Sequence, residues 1–236
     1  MSKHVEVKGL GVVAFPENMP DHEINWAIEE HTGKPRVDRI RGMADLPLTK
    51  AGRRQIAEKS EKLGPFDTIF TNDLKRAQET AKLLRPNRIV TDTHLRPMNY
   101  GDYTGRPSKE VAEKMHSEIK ANPKKALPGS GDSFHSWSRR LAEGIAHVQD
   151  YVKAHPKEKV GVVLNRSSMQ LYKTLLKGGT IDDALAYSPD EKTGSAFMRE
   201  GDELKPVDKA DGPGEYIVRH GATPFNGTDE SESAAS

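Results

Sequence analysis

The stretch that most constrains this chain is Glu215 to Asn226, EYIVRHGATPFN, close to the C-terminus. Tyr216, Ile217 and Val218 are β-formers and follow the breaker run Asp211-Gly212-Pro213-Gly214, a pattern that predicts a short buried strand. That strand hands Arg219 and His220 to a loop at its C-terminal end, the end at which α/β sheets bind ligands. An imidazole beside a guanidinium, with Gly221 allowing close backbone approach, suits a phosphoryl group. The imidazole is then the nucleophile and the guanidinium holds the phosphate oxygens. Arg-His-Gly alone is a weak signal, so the rest of the chain must carry the reading.

Read in order, residues 1–34 stand apart. Val5-Glu6-Val7 and Val12 to Phe15 flank Lys8-Gly9-Leu10-Gly11 as a hairpin. Asp21 then caps a helix with Ile24, Ala27 and Ile28 on one face, ending at Gly33. A unit of that size is unstable alone and is expected to dock on the main domain or a protein partner. From residue 35 onward, strands alternate with helices. The predicted strands are Asp67–Phe70, Ile89-Val90, Val160–Leu164 and Tyr216–Val218. The helices run from Thr49 to Leu63, from Asn72 or Asp73 past Leu84, from Ser108 to Ala121, along the Phe134–Val152 stripe, and through Met169 to Leu176. Residues 194–206 read as an edge hairpin, 207–214 as a linker, and 228–236 as a frayed tail. The alternation predicts an α/β fold, a mainly parallel central sheet covered on both faces.

Composition excludes several classes. Thirty-six basic residues balance 35 acidic ones, so bulk charge argues for neither nucleic acid nor membrane as partner. There is no cysteine, hence no disulfide, thiol chemistry or thiolate metal site, which fits a cytoplasmic protein. No apolar run is long enough to span a bilayer, and Met1-Ser2-Lys3-His4 does not open a signal peptide.

RHGATPFN resembles the nucleophile motif of the histidine phosphatase superfamily, the phosphoglycerate mutase-like enzymes. In that family the motif forms the first strand and loop. Here it comes last, while the segments that should follow it stand at the start: RVDRIRG from Arg36, DLPLT from Asp45, TNDLKRAQETA from Thr71, Leu95-Arg96, and YGDYTG from Tyr100. The resemblance therefore implies a circularly permuted phosphoglycerate mutase-like fold, a three-layer sandwich occupying residues 35–236. It implies a phosphohistidine on His220, phosphate-binding arginines at Arg219 and Arg76, and polar phosphate contacts at Thr223 and Asn226. Arg39 and Arg41, in DRIRG, are candidates for a second substrate charge or for surface solubility. No cofactor or metal is implied, and the expected partner is a phosphorylated small molecule.

Two departures from the family pattern stand out. Where the family has a second histidine after a buried strand, this chain has Leu164-Asn165, and asparagine offers a dipole without a charge. Where many members carry the acid glutamate after Leu-Arg, this chain has Pro97. Relatives that share Leu-Arg-Pro have Pro-Gly-Gly-Glu-Ser further on; PGSGDS here makes Asp132 the candidate acid, with Asp102 in reserve. The sequence thus supports a phosphomonoesterase, weakened at Asn165. Two alternatives are a catalytically impaired relative that binds a phosphorylated ligand and a structural protein. The last rests on a short likeness of GLGVVAFPENMPDHEI to a segment in virion proteins of tailed bacteriophages.

Overall fold

The computed structural model of the chain describes residues 2–32, 38–186, 196–210 and 212–221. At the N-terminus, β1 (Ser2–Val7) and β2 (Gly11–Pro16) pair antiparallel as a separate two-stranded sheet. The helix α1 (Asp21–Thr32) follows, tied to the hairpin by Lys3, whose ammonium lies 3.1 Å from the Asp21 carboxylate.

The main sheet has six strands in the order β4-β3-β5-β8-β6-β7. They are β3 (Phe66–Thr71), β4 (Pro86–Thr91), β5 (Lys159–Leu164), β6 (Ala196–Glu200), β7 (Glu203–Pro206) and β8 (Gly214–Arg219). The first four in spatial order are parallel, and the β6–β7 hairpin adds antiparallel to β8. The strand carrying Arg219 therefore lies inside the sheet beside β5, as its unbroken apolar run requires.

Alternation along the strands sorts the core into two layers. Ile69, Val163, Tyr216 and Val218 face α2 (Lys50–Leu63) and α3 (Lys75–Leu83), packing with Ile56, Leu63, Ala77 and Ala81. Phe70, Val162, Leu164 and Ile217 face the other way. They meet α4 (Ser108–Ala121), α5 (Phe134–Ala154) and α6 (Arg166–Leu176) through Met115, Trp137, Leu141, Ile145 and Met169. The result is the expected three-layer α/β sandwich.

Caps set most helix boundaries. Thr49 accepts from the Gly52 N–H, and Gly64 ends α2 at φ +65°. Ser133 starts α5 with a reciprocal capping box. One expectation fails: neither Asn72 nor Asp73 caps α3. Its N-cap is Leu74, with no side-chain bond. Asn72 Oδ1 instead accepts from the Leu74 N–H at 3.0 Å, and Asp73 pairs with Arg96, whose Nε lies at 2.6 Å. A bidentate guanidinium outcompetes a cap one residue away.

Candidate active site

Three neighbouring strands converge on one cleft at their C-terminal ends. β8 ends opposite β5 with Arg219 level with Leu164, and the His220 N–H donates to Leu164 O at 3.3 Å. His220 thus leaves the sheet alongside Asn165. From β3 the chain turns into α3, whose first turn carries Arg76. The buried Arg76 guanidinium donates to Ala44 O at 2.5 Å and Gly42 O at 2.7 Å. That clamp draws in the 38–48 loop and with it Arg39 and Arg41. Gly221 lies against the first turn of α2, where an added Cβ would stand 2.6 Å from Gly52 O. A larger residue after His220 would push the loop off its support.

The cleft these elements enclose holds about 160 Å³ and is lined by Arg39, Arg41, Arg76, Arg166, Arg219 and His220, together with Asn165 and Ser167. Among the described residues that line it are five arginines and one carboxylate, that of Asp38. Such a surplus in a partly enclosed site attracts an anion with several acceptor oxygens. Crowding shows in the titration of the groups themselves. Burial, then the charge of Arg41, lowers Arg76 to about 10. Burial holds Arg41 below its ordinary value, with Arg166 adding to the effect and Asp38 and Tyr100 opposing it. Behind Arg219, burial and the Arg219 charge bring Lys59 down to about 8. His220 is held well below the usual imidazole range, first by burial and then by the charges of Arg76, Arg41 and Arg219.

His220 Nδ1 lies 2.8 Å from Gly221 O. A carbonyl only accepts, so Nδ1 carries the ring proton and Nε2 keeps its lone pair. Asn165 is the N-cap of α6 and its Oδ1 accepts from the Ser168 N–H at 3.2 Å. With the oxygen so engaged, the amide's other arm is an NH₂ donor. Arg166 and Ser167 open α6 at the same spot, where a helix N-terminus carries a partial positive charge. Asparagine thus brings helix polarity to the position at which a histidine would bring a full charge.

A family model described as the histidine phosphatase superfamily (branch 1) matches residues 31–204. The chain belongs to the histidine phosphatase superfamily. Among its relatives, an uncharacterized phosphatase of Bacillus subtilis, PhoE, is 27% identical over 162 residues, 66% of this chain and 74% of the relative. The adenosylcobalamin/alpha-ribazole phosphatase of Escherichia coli is 26% identical over 135 residues, 53% of this chain and 66% of the relative. The chain spans 58% of a phosphoglycerate mutase-like protein of Arabidopsis thaliana, at 29% identity over 53% of its own length. Of solved structures, the alpha-ribazole phosphatase from Shigella flexneri superposes with a TM-score of 0.55 at 21% identity, covering 81% of this chain and 92% of the other. A mycobacterial glucosyl-3-phosphoglycerate phosphatase with inorganic phosphate gives 0.54 at 20%, covering 81% and 95%.

In this member of the superfamily, β8 and the Arg-His-Gly turn at its end fall outside the matched residues, yet β8 stands inside the sheet between β5 and β6. The cleft brings together His220, Arg219, Arg76, Arg39, Arg41 and Asn165. Thr223 and Asn226 lie outside the described residues, as does Arg36. Asp132 is absent from the residues lining the cleft. Its carboxylate accepts from the Asn99 N–H at 2.9 Å and from Arg140 at 3.2 Å, so it closes the 99–132 loop. Asp102 packs on the turn at Gly129, also off the cleft. Sequence reasoning missed Asp38 and His116, which do line it. Asp38 stands directly before the arginine pair of DRIRG, and that spacing was the available signal.

Proposed function

We propose that this chain is a phosphomonoesterase that works through a phosphohistidine. His220 Nε2 attacks phosphorus, and the bond from phosphorus to the ester oxygen breaks. The leaving oxygen takes a proton from an acid. Water then attacks phosphorus and gives a proton back to the conjugate base of that acid, while the phosphorus–nitrogen bond breaks, releasing inorganic phosphate and restoring the imidazole. Arg219, Arg76 and Arg41 hold the phosphoryl oxygens, and Asn165 with the α6 N-terminus supplies a further donor. These charges meet the electrostatic need of the transition state, so the reading calls for no metal or cofactor. The observation that carries it is the bare Nε2 of an unprotonated His220 among arginines in one cleft.

For the acid, Asp38 replaces Asp132, because it is the carboxylate among the described residues of the cleft. Asp38→Asn should slow alkyl phosphates more than aryl phosphates with good leaving groups, since only the former need a proton. Asp132→Asn should change both alike. Steady-state hydrolysis at saturating substrate, with and without a chelator, tests both points. Equal slowing of the two ester classes by Asp38→Asn would move the acid elsewhere, and activity abolished by chelation would bring in a metal.

The arrangement of the chain is part of the same proposal. The Arg-His-Gly strand takes the place of the family's first strand although it is last in sequence. Support comes from its position beside β5 and from the family match ending before it. Residues 1–34 are then a separate module outside the permuted domain, suited to docking a protein partner.

A further inference from the structure

We propose that the substrate's alcohol portion is a neutral apolar group, about the size of one ring or a short branched chain, seated in a second pocket that adjoins the phosphate cleft. This rests on the phosphomonoesterase reading and deepens it.

The second pocket holds about 170 Å³. It shares Tyr100, His116, Arg166 and Ser167 with the phosphate cleft, so the two adjoin across that rim. Beyond that shared rim Lys120 and Gln170 are the polar members, and the rest of the wall is apolar, chiefly Met98, Ile119, Phe134, Trp137, Leu171 and Leu185. Trp137 and Phe134 meet edge to face, with ring centroids 5.5 Å apart, which fixes an aromatic wall. Met98, Trp137 and Leu171 are almost wholly buried and belong to the core, whereas Ile119, Phe134 and Leu185 are half-buried. Those three leave apolar surface against water at the cleft's edge, a cost that an apolar ligand would remove.

Size and charge narrow the occupant. An apolar cavity of roughly 150 Å³ takes up a benzene-sized molecule, so a single ring fits here. No Asp or Glu lines the second pocket among the described residues, so an amino-alcohol cation would find no counter-charge. A sugar or polyol would meet Lys120 and Gln170 but would bury its remaining hydroxyls against Ile119, Phe134 and Leu185, which is costly. The pocket therefore favours apolar phosphomonoesters over sugar phosphates through the apolar surface that a ring would cover.

Two ligand pairs test this on the intact protein. Benzylphosphonate and methylphosphonate, neither hydrolysable, are compared by titration calorimetry. Benzyl phosphate and glycerol 1-phosphate, whose alcohols have similar acidity, are compared by kcat/KM. The expected preference for the benzyl compound is on the order of ten- to a hundredfold in both. In Ile119→Asp and in Phe134→Ser, each checked for a native-like melting transition, the benzyl-to-methyl affinity ratio should fall towards one. Equal wild-type affinities for the two phosphonates would overturn the apolar pocket while leaving the phosphatase reading intact. Failure of both phosphonates to bind and of both esters to react would overturn the two together. A preference that survives in both variants would also overturn the assignment.

Discussion

At the scale of single residues, His220 stands at the centre of the cleft's cations. Its neighbours are cations and its surroundings are dry, so both terms disfavour the imidazolium. The sign follows directly. An unfolded histidine takes up a proton near 6.5, whereas folded His220 does not until the pH is well below that value. Folding stability from this group is therefore complete above about pH 6.5 and declines as the pH falls below it. The same burial and cations favour the neutral ring, the form a nucleophile needs. An NMR titration of the His220 ring should show no protonation step between roughly pH 6 and 7; a normal step there would contradict the crowded-cation geometry. This residue was legible because a β-forming run and a breaker announced it. The placement of Asp132 was not, because its carboxylate, though in a matching motif, is bonded to Asn99 and Arg140. Such long-range partners leave no trace in local sequence.

At the scale of elements, the strands and helices followed the periodicity closely, and Thr49, Gly64 and Ser133 mark helix ends as their residue types predict. The start of α3 departed because Asp73 found Arg96, a partner across the loop. The informative element is α6. Asn165 does two jobs there: its oxygen caps the helix, and it stands in the cleft with the helix N-terminus beside it. Asn165→His should bring a charge to the site and raise turnover by about tenfold or more, in the range expected for an oxyanion donor. The same change removes the cap and should cost about 1 kcal/mol of stability. Saturating kinetics and thermal melting read the two effects separately. A variant that gains no turnover while losing stability would mean that the helix terminus and Arg166 already supply what the histidine would add.

At the scale of the whole molecule, order along the chain and order in space diverge. The last described strand is central to the sheet, with β5 on one side and β6 on the other. Periodicity could predict that the strand was buried, but only its motif indicated which neighbours it would have. A reordered chain, with residues 207–226 placed ahead of residue 35 and residues 1–34 removed, should fold cooperatively and bind inorganic phosphate with the same affinity as the natural order. Failure to fold after trials of several joining linkers would contradict the permuted reading. The central claim is that the phosphoryl group passes through His220, and the most direct measurement is to trap it there. The protein is mixed with a ³²P-labelled phosphomonoester, quenched within a turnover in alkaline denaturant, and mapped by peptide mass. The account predicts label on the peptide containing His220, stable to base and lost in acid, and absent from His220→Ala. Label on any other side chain, or hydrolysis that persists in His220→Ala, would contradict it.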